Sequence, residues 1–255
     1  MRSGKQRGFT LVELSIVLVI IGLIVAAVSF ASNLQRSSQS QMIKQKFIDQ
    51  WVSAYNDFYT RTGLVPGDEP LTPTFAVNAA ADEDTLAELL ASGNGTVGEP
   101  PPRLCEGIAN DNYTGARSSD RTSLRELFVQ QGVRLPPGRA PGQEDRFVYL
   151  DSNGNPQELQ VCFQWNAPDT VSGSGNVMVI KGLTPDLART LDRMIDGQAN
   201  ALAGAFREQG RTGNTDCGNA GGDWCVDNRF NFADVNSNRD EDQVANVTAH
   251  YRMNQ

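Results

Sequence analysis

The chain has 255 residues, enough for one sizeable domain with an appendage. Its 22 basic and 30 acidic residues leave a net charge of −8; without the first eight positions, which hold Arg2, Lys5 and Arg7, the balance is 19 − 30 = −11. An acidic body lacks the clustered Lys and Arg that neutralise phosphates, which argues against general nucleic-acid binding. The single histidine, His250, excludes a multi-His zinc site and nearly excludes a His-based triad.

The first element is the apolar run in "RGFTLVELSIVLVIIGLIVAAVSFA", in which residues 9–31 carry one charge, Glu13. As a helix these 23 residues extend roughly 34 Å, enough to cross a bilayer core of about 30 Å. The basic residues precede the run, so the positive-inside rule places the N-terminus in the cytoplasm and the rest outside. A secretory signal peptide is the competing reading, with Ser29 and Ala31 as small residues before a cut after Ala31. Glu13 at the head of the apolar core argues against it, and so does a helical pattern that continues past Ala31.

In "NLQRSSQSQMIKQKFIDQWVSAYNDFYTRT", Ile43, Phe47, Trp51, Tyr55 and Phe58 or Tyr59 recur every three or four residues. That spacing makes one apolar stripe on an α-helix. Gly63 suits the C-terminal cap and Pro66 prevents resumption. With no proline between residues 9 and 65, the pattern predicts one continuous helix over about residues 9–61, on the order of 80 Å long. Its first half is apolar all round and its second half is amphipathic.

Residues 64–118 are expected to be irregular, with one short helix at "DEDTLAELLAS". The GxGxxG spacing of Gly93, Gly95 and Gly98 is a decoy, because it follows a helical pattern and runs into prolines. "SDRTSLRELFVQQG" predicts a helix with Leu124, Leu127 and Phe128 on one face. "RFVYLD", "ELQVCFQW" and "NVMVIKG" predict three strands of an antiparallel meander, separated by the turn-rich "SNGN" and "APDTVSGSG". "LTPDLARTLDRMIDG" predicts a helix with Thr184 as N-cap, Pro185 in the first turn, and Leu187, Leu191, Met194 and Ile195 buried. "ANALAGAF" is expected to continue it, and "VANVTAHYR" to form a last strand.

The four cysteines, Cys105, Cys162, Cys217 and Cys225, follow the apolar segment and form no C-x-x-C pair. In an oxidising compartment they read as disulfides, with three pairings possible. Cys217–Cys225 is favoured because the two bracket a short Gly-rich loop, which leaves Cys105–Cys162; buried free thiols are the alternative.

A short basic leader ending in Gly8, then Phe9, Thr10, Leu11, Val12 and Glu13, then an apolar helix: "RGFTLVELSIVLVIIGLI" resembles the N-terminus of type IV pilins and pseudopilins. The resemblance covers about the first 35 residues. It implies cleavage between Gly8 and Phe9 by the prepilin peptidase, methylation of the new α-amine of Phe9, and a mature chain of 255 − 8 = 247 residues. It also implies that Glu13 meets the charged N-terminus of a neighbouring subunit. A carboxylate costs roughly 2.5–3.5 kcal/mol at the centre of a membrane helix. An ion pair in an apolar bundle penalises any arrangement that leaves one partner alone, so Glu13 would set register more than add stability. The helix-start position also favours an acid through the macrodipole. Many pilins kink the apolar helix with a proline; here the corresponding region reads "VAAVSFASN", which tilts the reading toward a minor pilin or pseudopilin. "LTPDLARTLDRMIDG" is similar to a recurring pilin-like segment that ends near Asp-Gly, here Asp196-Gly197.

In "DVNSNRDED", Asp234, Asn236, Asn238, Asp240 and Asp242 alternate as oxygen ligands for Ca²⁺ would. Arg239 stands where an EF-hand needs Gly, and Ala245 where it needs Glu. Some pseudopilins carry a structural calcium, but a solvated acidic turn is the preferred reading. No other cofactor is implied.

The expectation is an α+β, pilin-like fold: a long N-terminal helix packed on an antiparallel sheet with extra helices and loops. Its parts are a leader at 1–8, a transmembrane and assembly half-helix at 9–31, an amphipathic half at 32–62 and a globular head at 63–255. The resemblance implies a non-catalytic filament subunit, more a minor pilin than a major one, with a type II secretion pseudopilin as the alternative. A membrane-anchored or Sec-exported periplasmic binding protein or enzyme is the more distant one. Its partners would be other subunits, the prepilin peptidase and the inner membrane. Its head would be periplasmic before assembly, and extracellular or in a periplasmic pseudopilus afterwards.

Overall fold

Helical backbone occupies three consecutive segments: α1 (Leu11–Ile43), a π-helical stretch (Lys44–Ile48) and α2 (Asp49–Thr62). The computed structural model describes residues 11–79, 103–105, 123–151, 154–211, 224 and 246–254. The chain divides into two compact units, residues 1–42 and 43–255. The short helix expected in "DEDTLAELLAS" and the GxGxxG stretch lie outside the described residues.

The stripe on the second helical half is buried: Ile43, Phe47, Trp51, Tyr55 and Phe58 all belong to the core. A spacing of four drifts about 40° per step around a regular helix. The wider π turn winds more slowly and takes up part of that drift. It also buries Ile48 beside Phe47. The helix stops where Gly63 adopts a left-handed φ of 72° and returns its N–H to the Tyr59 carbonyl.

A shorter helix, α3 (Leu124–Gln130), starts in a capping box. The Ser123 hydroxyl accepts from the Glu126 N–H, and the Glu126 carboxylate accepts from the Ser123 N–H. Leu124 and Phe128 are buried, and Leu127 packs against the same cluster.

The described strands are β1 (Arg146–Leu150), β2 (Pro156–Asn166), β3 (Gly175–Leu183), β4 (Phe206–Glu208) and β5 (Val247–Arg252). They pair antiparallel in the order β1-β2-β3-β5-β4. The meander of the first three is as expected, and the last strand inserts between β3 and β4. One cross-strand row, Phe163, Met178, Tyr251 and Phe206, lies on the core face. Trp51 and Tyr55 pack on it, with ring centroids 6.0 and 5.1 Å from Phe163. The adjacent row, Cys162, Val179, His250 and Arg207, lies on the other face. There Cys162, Val177 and Val179 are completely buried against Cys105. Burial on both faces explains why "VCF" and "VMVI" are unbroken apolar runs rather than alternating ones.

Between β3 and β4 runs α4 (Pro185–Asp196). Thr184 caps it through the Leu187 N–H, and Gly197, at φ 82°, ends it. Leu187 and Leu191 are buried as expected, and so is Asp192, which is 0% exposed. "ANALAGAF" does not continue the helix. Residues 199–205 are turns leading into β4, because the last turn of α4 supplies carboxylates that capture their N–H groups. Asp192 Oδ2 accepts from Asn200, and Asp196 accepts from Ala205 and Phe206.

Candidate assembly surface

The window Leu11–Val28 has a mean hydropathy of 3.0, and none of it is buried within the chain. Its large apolar side chains are exposed by 49% (Ile20) to 88% (Leu11). A helix apolar all round is a solute for lipid or for other apolar helices, not for water. At 1.5 Å per residue this window spans about 27 Å, close to a bilayer core. Gly22 has no neighbour within 4 Å of an added Cβ, so another backbone can approach closely there.

Only two polar side chains interrupt the window, Glu13 and Ser15. The Ser15 hydroxyl donates to the Val12 carbonyl at 2.8 Å, which satisfies it inside the helix. Glu13 sits in the first helical turn and is exposed. It is therefore the one charge this apolar surface presents. Gly8 and Phe9, which the sequence marks for processing, lie outside the described residues, as do Cys217, Cys225 and the run Asp234, Asn236, Asn238, Asp240 and Asp242.

In the second unit Cys105 and Cys162 form a disulfide with Cα atoms 4.6 Å apart, across a sequence separation of 57. It fastens the segment 103–105 along the edge of β2, where Leu104 pairs its backbone with Phe163 at 2.8 and 3.0 Å. Arg103 donates to Gln164, Gln164 to Asn166, and Asn166 to the Nδ1 atom of His250 at 3.0 Å. Accepting at Nδ1 places the ring proton on Nε2, which is buried without a hydrogen-bond partner. Burial, with the Arg103 guanidinium, pushes the His250 pKa down to about 3. The lone histidine is thus held neutral as part of a buried hydrogen-bond chain. Among the described residues no group of three His, Cys, Asp or Glu side chains is placed to hold a metal ion.

Sequence reasoning missed Asp192, and named Asp196 only as part of the Asp-Gly end of the pilin-like segment. The available signal was positional: Asp192 falls on the arc of Ala188 and Leu191, where an acid is out of place unless something holds it.

The chain matches one family, the prokaryotic N-terminal methylation motif, over residues 3–29. No curated protein and no solved structure matches it. The matched stretch joins the basic leader to the exposed apolar helix, and an antiparallel five-stranded sheet with added helices follows in the chain. That motif, together with that α+β fold, supports a type IV pilin- or pseudopilin-like protein.

Proposed function

We propose that the chain is a non-catalytic subunit of a type IV pilus-like filament, a minor pilin rather than the bulk component. The observation that carries this is the single carboxylate, Glu13, on a helix otherwise exposed and apolar from Leu11 to Val28, just after the methylation motif. The prepilin peptidase cuts between Gly8 and Phe9 and methylates Phe9. The subunit waits in the inner membrane with its head in the periplasm. On assembly, Glu13 pairs with the Phe9 amine of a neighbour. In apolar surroundings only the register that joins the two charges avoids stranding one of them.

A type II secretion pseudopilin is the second reading. It is favoured by helical backbone that is unbroken over Leu11–Ile43 and contains no proline. An anchored or exported periplasmic binding protein or enzyme is the remaining alternative. Deleting the gene and scoring surface fibres together with secreted proteins separates the first two. Lost fibres with normal secretion support the pilus subunit. Secreted proteins trapped in the periplasm, with fibres intact, support the pseudopilin.

A further inference from the structure

Two carboxyl groups meet at the end of α4. Asp192 is completely buried, and its Oδ2 accepts from the Asn200 N–H at 2.7 Å and from the Trp224 indole at 2.8 Å. Its Oδ1 is buried with no N–H or hydroxyl donor. What lies within hydrogen-bonding reach of this carboxyl is the carboxyl of Asp196, one turn further on. Asp196 in turn takes the Ala205 N–H at 3.1 Å and the Phe206 N–H at 2.9 Å. Gly204, at φ 92°, passes so close that a Cβ there would strike the Asp196 carboxyl.

Two ionised carboxylates in contact, one of them buried, repel, and the N–H donors around them bring no full positive charge to offset this. A cation between them would relieve this. Three of the four oxygens already face N–H donors, so there is no oxygen cage for a metal. A proton needs only the one unengaged oxygen, Asp192 Oδ1, to sit on, and an Asp196 oxygen that accepts from it beside its N–H donor.

The other charged groups nearby are engaged elsewhere. On α4, Arg189 pairs with Asp186 and donates to the Trp224 carbonyl, and Arg193 is exposed. On β4, Arg207 donates to Gly204 and Val171 carbonyls, and Glu208 pairs with Arg211. On β5, Tyr251 feels Asp196 together with Lys44 and Asp49. The turn 197–205 carries no ionisable side chain.

We propose that the buried Asp192 carries a proton on Oδ1 and donates it to Asp196, and that this proton fastens Trp224 and the turn after α4 to the helix. Its loss to solvent places two negative charges side by side and weakens the fastening. The pair then acts as a pH-responsive clamp in the head, independent of how the N-terminal helix is used. Burial, chiefly, raises the Asp192 pKa to about 6, so the clamp opens just below neutral pH. Because the folded chain binds this proton more tightly than the unfolded one, the stability it contributes is present at acid pH and is lost as pH rises through about 6.

The test uses the full chain in detergent micelles. The first readout is the indole N–H resonance of Trp224, assigned by its loss in Trp224→Phe and followed against pH. A titration centred near 6 is expected; a flat curve, or a midpoint at the ordinary aspartate value of about 4, overturns the proposal. The second readout is Asp192→Asn, whose amide donates permanently to Asp196 while its oxygen keeps accepting from Trp224. From about pH 4 to pH 7.5 the unfolding constant of the wild type should rise by on the order of 100-fold relative to this variant. Equal pH dependence in the two proteins overturns the clamp.

Discussion

Trp51 packs edge-on against Phe163, with ring centroids 6.0 Å apart, and this contact joins the amphipathic helix to the middle of β2. Trp51 also lies edge-on to Phe128 at 6.0 Å, and Phe128 stacks with Phe163 at 6.1 Å. Three elements therefore meet at one indole. Trp51→Ala should cost about 3–5 kcal/mol, as buried aromatic truncations do. The Trp51 N–H is buried without a hydrogen-bond partner, so Trp51→Phe removes that penalty and should cost only about 1 kcal/mol. Denaturant unfolding of the two variants checks the ranking. Equal losses would mean that aromatic packing is not what the residue supplies.

Cys105 and Cys162 close a long loop, 57 residues apart in sequence. Constraint of the unfolded chain by such a loop is worth about 2–4 kcal/mol. Cys105→Ser with Cys162→Ser should lower stability by that amount, and should speed proteolysis near residues 103–105 before the rest of the head. Unfolding curves and limited digestion test this, and unchanged digestion would remove the clamping role.

His250 gives the head an acid sensitivity of defined sign. Its folded pKa is pushed down to about 3, whereas an unfolded imidazole titrates near 6.5. Between those values the unfolded chain binds a proton that the folded chain refuses, so this residue lowers stability as pH falls from about 6.5 toward 3. The Asp192 carboxyl acts in the opposite direction in the same window, so comparison with a variant isolates the histidine. His250→Gln keeps an acceptor for Asn166 and should lose less stability on acidification than the wild type. Parallel pH profiles would show that the imidazole is not the source.

The proposed filament role assigns Glu13 to assembly. Glu13→Gln removes a charge from the apolar window and should leave membrane insertion and head unfolding unchanged. Incorporation into filaments should fall at least tenfold. Membrane fractions and sheared fibres measured together check this. Normal incorporation would leave the acid only its local preference for a helix start.

Local patterns carried much of the fold. The apolar run, the stripe from Ile43 to Phe58, the three-strand meander and the Thr184 cap were all readable, because each follows from a short-range period or a turn residue. The π segment was not, because it answers a mismatch between the stripe's spacing of four and the helix's 3.6 residues per turn. The turn at 199–205 was misread as helix, because its conformation is set by Asp192 and Asp196 rather than by its own helix-favouring alanines. The insertion of β5 between β3 and β4 is a non-local pairing that no window of sequence contains. The pairing of Cys105 with Cys162 was one of three possibilities, and it follows from Leu104 pairing with Phe163 at the edge of β2, which sets Cys105 beside Cys162. At the assembly surface Glu13 stood out because its type contradicts its neighbours. Asp192 did not, since an acid on a polar helix looks solvated until its burial is known.

The most direct test of the central claim is the intact mass of the protein purified from native membranes. The pilin-like account predicts a chain that has lost residues 1–8, begins at Phe9 and carries one added methyl group, leaving 255 − 8 = 247 residues. A chain that begins at Ser32, or that retains Met1 without the methyl group, would contradict it.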